Sequence, residues 1–285
     1  MTKLKLFAVS ILSAGLIYFL TRVFSGALIL PQTISLGPLT VHYYGLIMAL
    51  ALGAGFYLAI KRSEVFGLTT KQAEDLLFWV IAGGFVGARA YHIFSSFGYY
   101  LQNPLDALKV WQGGLSIFGA LAGGFFVVLF FKKISNFKFQ ILNLLDWLTP
   151  SILIGQIIGR FGNLFNYEAF GYPTNLPWKM FVPPIFRPEN LAGYSYFHPL
   201  FLYEALGNLI ILSVILKLGF KNRFAKGFLF FSYLLLYNSM RFLLELLRAD
   251  STFFGFIRLN SITSLILFLT GVCGIIYLRR NAQTS

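Results

Sequence analysis

Long apolar runs separated by short polar segments dominate the sequence. Each run matches the length of about 17–25 residues that an α-helix needs to cross the hydrocarbon core of a membrane. Such runs cover residues 6–22, 42–60, 76–94, 113–131, 142–160, 199–218, 227–246 and 260–278. The pattern predicts an all-α polytopic membrane protein with eight spans.

The first apolar run has two interpretations. Lys3 and Lys5 precede a short apolar core, as they would in a cleavable signal sequence. However, the residues after Arg22 form a weak cleavage site. We therefore expect residues 1–33 to be an extra hydrophobic segment that is retained.

The composition supports a membrane protein. Hydrophobic residues make up 57% and charged residues 12% of the 285 residues, and the mean hydropathy is +0.73, far from that of a soluble domain. The net charge of +13 therefore indicates basic inside loops and contact with anionic lipid rather than nucleic acid. The single cysteine, Cys273, excludes a disulfide framework and a cysteine metal site.

The lysines and arginines predict the orientation of the chain. With both termini in the cytoplasm, the inside segments carry 14 of the 23 basic residues. Cytoplasmic loops of membrane proteins are enriched in such residues. We therefore expect the even-numbered connections between spans to face the cytoplasm and the odd-numbered ones to face outward.

A polar cluster follows the fifth apolar run. Arg160, Asn163, Asn166 and Glu168 lie within residues 155–171 among four glycines. An arginine at this depth is costly unless an anionic or polar group meets it. A snorkelling arginine at the membrane edge is the structural alternative, but the neighbouring amides and carboxylate favour a functional site.

A second cluster lies on the seventh apolar run. Tyr237, Arg241, Glu245 and Arg248 are spaced four, four and three residues apart, which predicts one stripe along a helix. An Arg241–Glu245 pair would make both charges tolerable inside a bundle. A purely structural ion pair is the alternative interpretation.

Unusual polar residues from four spans converge on one level of the membrane. Arg160 ends the fifth span at its outer end, and Tyr44 begins the second span at the same face. Arg241 lies roughly 22 Å into the membrane from the inner side, counted at about 1.5 Å per residue. Arg89 reaches a similar depth in the third span. This agreement predicts one site in the outer half of the bilayer.

Two outer segments are long. Residues 95–112 are rich in aromatics and predict an arm that lies at the membrane interface. Residues 161–198 contain five prolines and many aromatics and predict a small external cap over the site. Solvated loops are the alternative for both.

Three pairs of glycines are spaced for close helix contacts. Gly-x-x-x-Gly occurs at residues 83–87, 119–123 and 155–159. Small residues at this spacing let the backbones of neighbouring membrane helices approach each other. We expect these glycines to have a packing role and no chemistry.

Residues 159–171 resemble a known family signature. The sequence Gly-Arg-Phe-Gly-Asn-Leu-Phe-Asn-Tyr-Glu-Ala-Phe-Gly is similar to the Gly-Arg-x-Gly-Asn-x-x-Asn-x-Glu-x-x-Gly signature of bacterial prolipoprotein diacylglyceryl transferases. The Tyr-x-x-x-Arg-x-x-x-Glu spacing around Arg241 also resembles this family. Further similar motifs begin near Ile34 and include His198-Pro199 and Leu202-Tyr203-Glu204. The resemblance implies a transferase membrane domain over residues 34–285, with seven spans of the family type.

The resemblance also implies an activity and its partners. Enzymes of this family transfer the diacylglyceryl group of phosphatidylglycerol to the lipobox cysteine of a prolipoprotein signal peptide, and glycerol 1-phosphate leaves. It places the protein in the bacterial cytoplasmic (inner) membrane, among membrane lipids, with the active site towards the outer leaflet. It implies no metal and no organic cofactor.

Residue roles follow from the resemblance. Arg160 and Arg241 would clamp the phosphate, Tyr44 would orient the headgroup, and Glu168 and Glu245 would hold the arginines. These five are the expected catalytic residues. The expected substrate-binding residues are Asn163, Asn166, Gly171, Tyr237, Arg89, His42 and His198.

One position departs from the family pattern. The family often has a histidine where this chain has Phe118, and phenylalanine cannot accept a proton. His42, Tyr237 and Glu168 are then the candidates for the general base. Two other functions remain open at this stage: a transporter or binding protein for an anionic lipid, favoured by Pro150 within a span, and a catalytically inactive relative.

Overall fold

The computed structural model describes residues 3–37, 39–134, 140–219, 224–249, 253–254 and 257–284. The α-helices in these ranges are α1 Lys3–Phe24, α2 Tyr43–Arg62, α3 Thr70–Ser95, α4 Phe97–Gln102, α5 Ile117–Ile134, α6 Ile141–Asn166, α7 Leu200–Gly219, α8 Phe228–Leu246 and α9 Leu259–Thr284. Short strands form three antiparallel pairs: β1 Thr33–Leu36 with β2 Leu39–His42, β3 Met180–Phe181 with β4 Tyr196–Phe197, and β5 Phe253–Phe254 with β6 Ile257–Arg258. Three basic residues used to predict the orientation, Lys138, Lys221 and Arg223, lie outside the described residues.

The helices confirm an all-α polytopic membrane protein. Each of the eight apolar runs is a helix, and α4 is an additional short helix in the segment predicted as the arm. Among the described residues, five helices, α2, α3, α6, α7 and α9, are long and apolar enough to cross a membrane by length and composition. The hairpin β1–β2 runs directly into α2 and has no counterpart in the apolar pattern.

The chain divides into two compact units. One contains residues 1–55 and 148–285, and the other contains residues 56–147. Helices α2 and α6 each contribute residues to both units.

In the unit of residues 56–147, glycines bring α3 and α5 into backbone contact. A β-carbon built on Gly87 would lie 2.3 Å from the carbonyl oxygen of Gly119, and one on Gly123 would lie 2.2 Å from that of Gly83. No larger residue fits at these positions. The predicted packing role of these four glycines is confirmed.

Helix α3 begins six residues before the predicted span. The side chain of Thr69 accepts a hydrogen bond from the Gln72 amide at 3.3 Å, and the Gln72 side chain accepts one from the Thr69 amide at 2.9 Å. This reciprocal pair satisfies two amides that a helix start leaves without partners. The first turn is polar, so apolarity alone could not find it.

Helix α6 is continuous from Ile141 to Asn166, through Pro150 and Arg160. The expected end of the span at Arg160 is therefore wrong. Gly162 allows the close approach of α2, since a β-carbon there would lie 2.8 Å from the Tyr44 ring. The glycines of this motif serve helix contact and do not break the helix.

In the unit of residues 1–55 and 148–285, a buried apolar cluster joins α1 to the predicted cap. Its members are Val23, Leu30, Leu164, Tyr167, Phe170, Met180, Val182, Phe197 and Phe201. The end of α1 packs here, with the Phe24 and Phe201 rings edge to face at 6.2 Å. The cap thus shares a hydrophobic core with the N-terminal segment and α7.

Helix α9 packs against α8 through two small residues. A β-carbon on Gly271 would lie 2.7 Å from the Leu235 nitrogen, and one on Gly274 would lie 2.3 Å from the Phe231 ring. Cys273 lies between them in sequence and is exposed on the surface of the helix.

Candidate active site

Glu204 of α7 joins the two arginines expected at the site. Its carboxylate forms ion pairs with Arg160 of α6 and with Arg241 of α8, one through each oxygen. The Glu204 side chain is fully buried. A buried carboxylate is tolerated only when it is paired, so Glu204 fixes where the two guanidinium groups stand.

Glu245 forms the second buried carboxylate of the site. Its Oε2 atom lies 2.9 Å from Nη2 of Arg241 and 3.8 Å from Nη1 of Arg248. Its Oε1 atom accepts a hydrogen bond from Asn260 at 3.1 Å. The predicted pairing of Arg241 with Glu245 along α8 is therefore confirmed, while Arg248 lies just past the end of this helix. The first turn of α9 supports Glu245 through Asn260.

The two arginines differ in how many guanidinium N–H donors remain available to a ligand. Both terminal nitrogens of Arg241 are engaged by carboxylates, and its side chain is 11% exposed. Arg160 uses only Nη2 on Glu204 and is 20% exposed; within the described residues its other guanidinium nitrogens have no protein partner. A guanidinium carries five N–H donors, so Arg160 is the one able to bind an added anion.

Glu168 does not hold an arginine, contrary to the expectation from sequence. Its Oε1 atom accepts hydrogen bonds from Asn163 at 2.8 Å and from Asn166 at 3.3 Å, and the described residues place no arginine within ion-pair distance of it. The buried Glu204 takes the role that was expected of Glu168. Two amide donors hold the Glu168 carboxylate in place without neutralising its charge.

The backbone around Glu168 is strained. Tyr167 and Ala169 have φ values of +52° and +56°. For residues other than glycine, this left-handed region costs about 1–2 kcal/mol per residue. Both residues are buried, and strained backbone of this kind persists only where its surroundings enforce it.

Tyrosines line the site from two helices. Tyr44 of α2 packs on Gly162, and it is close enough to Arg160 and Glu168 for both charges to act on its hydroxyl. Tyr237 of α8 stacks on Tyr233 at 5.5 Å. Tyr44 therefore lies with the charged residues, as expected.

His198 is the last residue of the cap and contacts α7. Its Nδ1 atom is 3.1 Å from the Tyr203 hydroxyl, which accepts a hydrogen bond from the Trp178 indole at 2.7 Å. Burial lowers the pKa of His198, so the ring is neutral near pH 7. His42, by contrast, is exposed at the end of β2.

Gly171 has a packing role in place of the expected substrate contact. A β-carbon there would lie 2.8 Å both from the carbonyl oxygen of Leu247 and from the β-carbon of His198. Its amide donates to the His198 carbonyl at 2.8 Å. The missing side chain lets the cap lie against the end of α8.

Arg89 belongs to the other unit, and its guanidinium is engaged by backbone. It donates to the carbonyls of Ala107 at 2.9 Å, Asp106 at 2.5 Å, Gly113 at 2.7 Å and Gly114 at 3.1 Å. The residue is 8% exposed. The structure therefore gives it the role of holding the arm segment to α3, and its expected role in substrate binding is not supported.

Phe118, the position that departs from the family pattern, is exposed near the start of α5. Its ring is 67% exposed and lies 6.2 Å from the Tyr91 ring. Within the described residues, no group of three or more histidine, cysteine or acidic side chains could hold a metal ion.

Comparisons with known proteins agree with the geometry. The sequence model of the prolipoprotein diacylglyceryl transferase family matches residues 31–277. The chain belongs to this family. The recognition made from residues 159–171 is thereby confirmed.

Relatives of this transferase chain cover nearly its full length. The phosphatidylglycerol–prolipoprotein diacylglyceryl transferase of Thermotoga maritima is 36% identical over 287 residues, 98% of each chain. Proteins of the same name from Trichormus variabilis and Synechocystis are 37% and 38% identical over 253 residues, covering 87% of this chain and 89% of theirs.

Glu204 is the residue of this transferase site that the sequence did not single out. It was noted only within the Leu202-Tyr203-Glu204 motif. A lone carboxylate inside the apolar run of residues 199–218 was nevertheless an available signal, since such a group must be paired. Only the packing of α6, α7 and α8 identifies its partners.

Proposed function

We propose that this protein transfers the diacylglyceryl group of phosphatidylglycerol to the cysteine thiol of a prolipoprotein lipobox, forming a thioether and releasing glycerol 1-phosphate. The reaction is the first step of lipoprotein maturation. We place it in the bacterial cytoplasmic membrane, with the site towards the outer leaflet. The single observation that carries the proposal is Arg160, fixed by the buried Glu204 and still holding donors for a phosphate.

Arg160 suits the chemistry of the leaving group. The cysteine sulfur attacks the glyceryl carbon, and the bond from this carbon to the phosphate oxygen breaks. The phosphate changes from a diester with one negative charge to a monoester that can carry two. A guanidinium aimed at it therefore binds the transition state better than the ground state. Glu204 and Arg241 keep Arg160 aligned and need not touch the lipid.

Glu168 is the best placed acceptor for the proton of the thiol. The thiol must lose this proton to become a nucleophile. Of the three candidates from sequence, His42 is exposed on a strand and Tyr237 is stacked on Tyr233. Glu168 is held by two amides and lies near Tyr44 and Arg160.

The partners of this reaction are membrane components. Phosphatidylglycerol is a bilayer lipid, and the lipobox cysteine arrives at the end of a signal-peptide helix. Both would reach the site laterally. The transporter alternative loses its main support, because α6 is unbroken through Pro150 and Arg160. The alternative to be tested is a catalytically inactive relative, because Phe118 replaces the histidine that the family often has.

Reconstitution provides the test. The purified protein is placed in phosphatidylglycerol bilayers with a synthetic lipobox peptide, and mass spectrometry follows the diacylglyceryl adduct and the released glycerol 1-phosphate. We expect both products with the wild type, and at least a hundredfold less with Arg160→Ala or Glu168→Gln.

Arg187→Ala is the matched control. Arg187 lies in the cap and donates to backbone carbonyls of Val182 and Ala192, so this variant should keep wild-type turnover. Peptide binding without adduct in the wild type would instead identify an inactive relative.

A further inference from the structure

The backbone that carries Glu168 is held in part by a residue that lies outside the family motif. The residues on both sides of it, Tyr167 and Ala169, adopt left-handed backbone angles although neither is glycine. The direction of the Glu168 side chain therefore depends on the contacts that keep this strained segment in place, in addition to the two side-chain amides that hold its carboxylate. Backbone hydrogen bonds hold both ends of the segment: the Glu168 amide donates to the Asn163 carbonyl at 3.1 Å, and the Ala169 carbonyl accepts from the Phe201 amide at 3.2 Å.

The Tyr167 hydroxyl provides a further restraint, from the N-terminal side of the chain. It accepts a hydrogen bond from the backbone N–H of Leu30 at 2.6 Å, across 137 positions of sequence. Both residues are buried, with exposures of 3% and 6%. The ring of Tyr167 stacks on Phe186 at 5.0 Å, and burial raises the pKa of its hydroxyl, so the hydroxyl stays neutral.

Leu30 belongs to the segment that precedes the family match, which starts at residue 31. The same segment contributes Val23 and Leu30 to the cluster beneath the cap. A buried N–H that loses its acceptor is costly. The bond from Leu30 therefore resists rotation of the Tyr167 ring and, with it, a change in the backbone that carries Glu168.

We propose that residues 23–30 are a positioning element for the active site: through the hydrogen bond from Leu30 to Tyr167, they set the orientation of the Glu168 carboxylate towards the thiol. Tyr167 is a positioning residue and does not touch the substrate. This inference rests on the proposed function, because Glu168 matters only if a proton has to be removed.

Tyr167→Phe tests the element, because it keeps the ring and removes only the acceptor. In the reconstituted assay we expect kcat to fall about five- to tenfold, the size expected for one buried hydrogen bond, while KM for phosphatidylglycerol stays within twofold. A purely structural role would lower the thermal stability without changing kcat. Hydrogen exchange at the Leu30 amide, measured on the same samples, should become faster in the variant.

Tyr196→Phe is the matched control. Its hydroxyl also reaches the N-terminal segment from the cap, donating to the Ser25 carbonyl at 3.5 Å, but it is remote in sequence from Glu168. We expect its kcat to equal that of the wild type.

The outcomes separate the two proposals. A wild type without product overturns the proposed function itself. An active wild type with an unchanged kcat in Tyr167→Phe, or with an equal loss in Tyr196→Phe, overturns the positioning element alone.

Discussion

Arg160 and Arg241 share one carboxylate, yet their surroundings give them different tasks. Arg241 bridges two fully buried glutamates, Glu204 and Glu245. Within the described residues, the Arg160 guanidinium pairs with Glu204 alone and keeps donors for a ligand. A residue that neutralises buried charge acts on stability, whereas one that faces a ligand acts on turnover.

Lysine substitutions should separate these tasks. Arg241→Lys cannot reach both glutamates, so we expect the free energy of unfolding to drop by about 1–2 kcal/mol, together with a loss of activity. Arg160→Lys keeps one contact to Glu204 and loses the forked donors, so we expect near wild-type stability and at least a tenfold lower kcat. Thermal unfolding in detergent and the adduct assay measure the two quantities. Equal stability losses in both variants would contradict the division.

The sequence predicted individual residues best where spacing along one helix determines the contact. The pairing of Arg241 with Glu245 follows from their separation of four residues on α8. The partner of Arg160 could not be found in this way, because Glu204 lies on another helix and 44 positions away. The backbone strain around Glu168 could also not be predicted, since Tyr167 and Ala169 are not residue types that favour positive φ angles.

At the scale of the elements, glycines decide how closely helices approach. Gly87 of α3 faces the backbone of α5, while Gly53 of α2 has open space where a β-carbon would lie. In both helices alanine has the better intrinsic propensity, by about 1 kcal/mol. At Gly87, packing should therefore make alanine destabilising, whereas at Gly53 alanine should keep its advantage in helix propensity.

Alanine scanning of these two glycines checks this. Gly87→Ala should lower the melting temperature by several degrees, because its methyl group would meet the Gly119 carbonyl, an oxygen of the backbone. Gly53→Ala should leave the melting temperature unchanged or raise it. Both are measured by thermal unfolding of the purified protein in the same detergent. A stable Gly87→Ala protein would mean that α3 and α5 can separate without cost.

Helix existence was predictable and helix ends were less so. Apolar runs identified every long helix, because a membrane span must be apolar for its whole length. The polar first turn of α3 depends on the pairing of Thr69 with Gln72, and the last turns of α6 carry the charged motif. These two helix ends contain polar or charged residues, so the apolar pattern could not locate them.

At the scale of the whole molecule, the basic residues predict which face the site opens to. The orientation with inside termini puts the cap outside and the loop between α2 and α3 inside. Asn175 of the cap and Glu64 of that loop are both exposed. Either can therefore report its side of the membrane.

Thiol labelling provides the measurement. In a Cys273→Ser background, Asn175→Cys should react with a membrane-impermeant maleimide in intact spheroplasts, whereas Glu64→Cys should react only after permeabilisation. The reverse pattern would place the site towards the cytoplasm and exclude prolipoproteins that emerge on the outer side.

The position of Cys273 determines whether the enzyme could alkylate its own thiol. An enzyme that alkylates thiols risks alkylating itself. Asn260, which contacts Glu245, marks the level of the site on α9, and Cys273 lies 13 residues further along, about 20 Å at 1.5 Å per residue. Cys273 is exposed on α9, at a distance from the arginines and the carboxylate proposed to carry out the transfer. We therefore expect Cys273 to escape alkylation while the protein works among lipid donors.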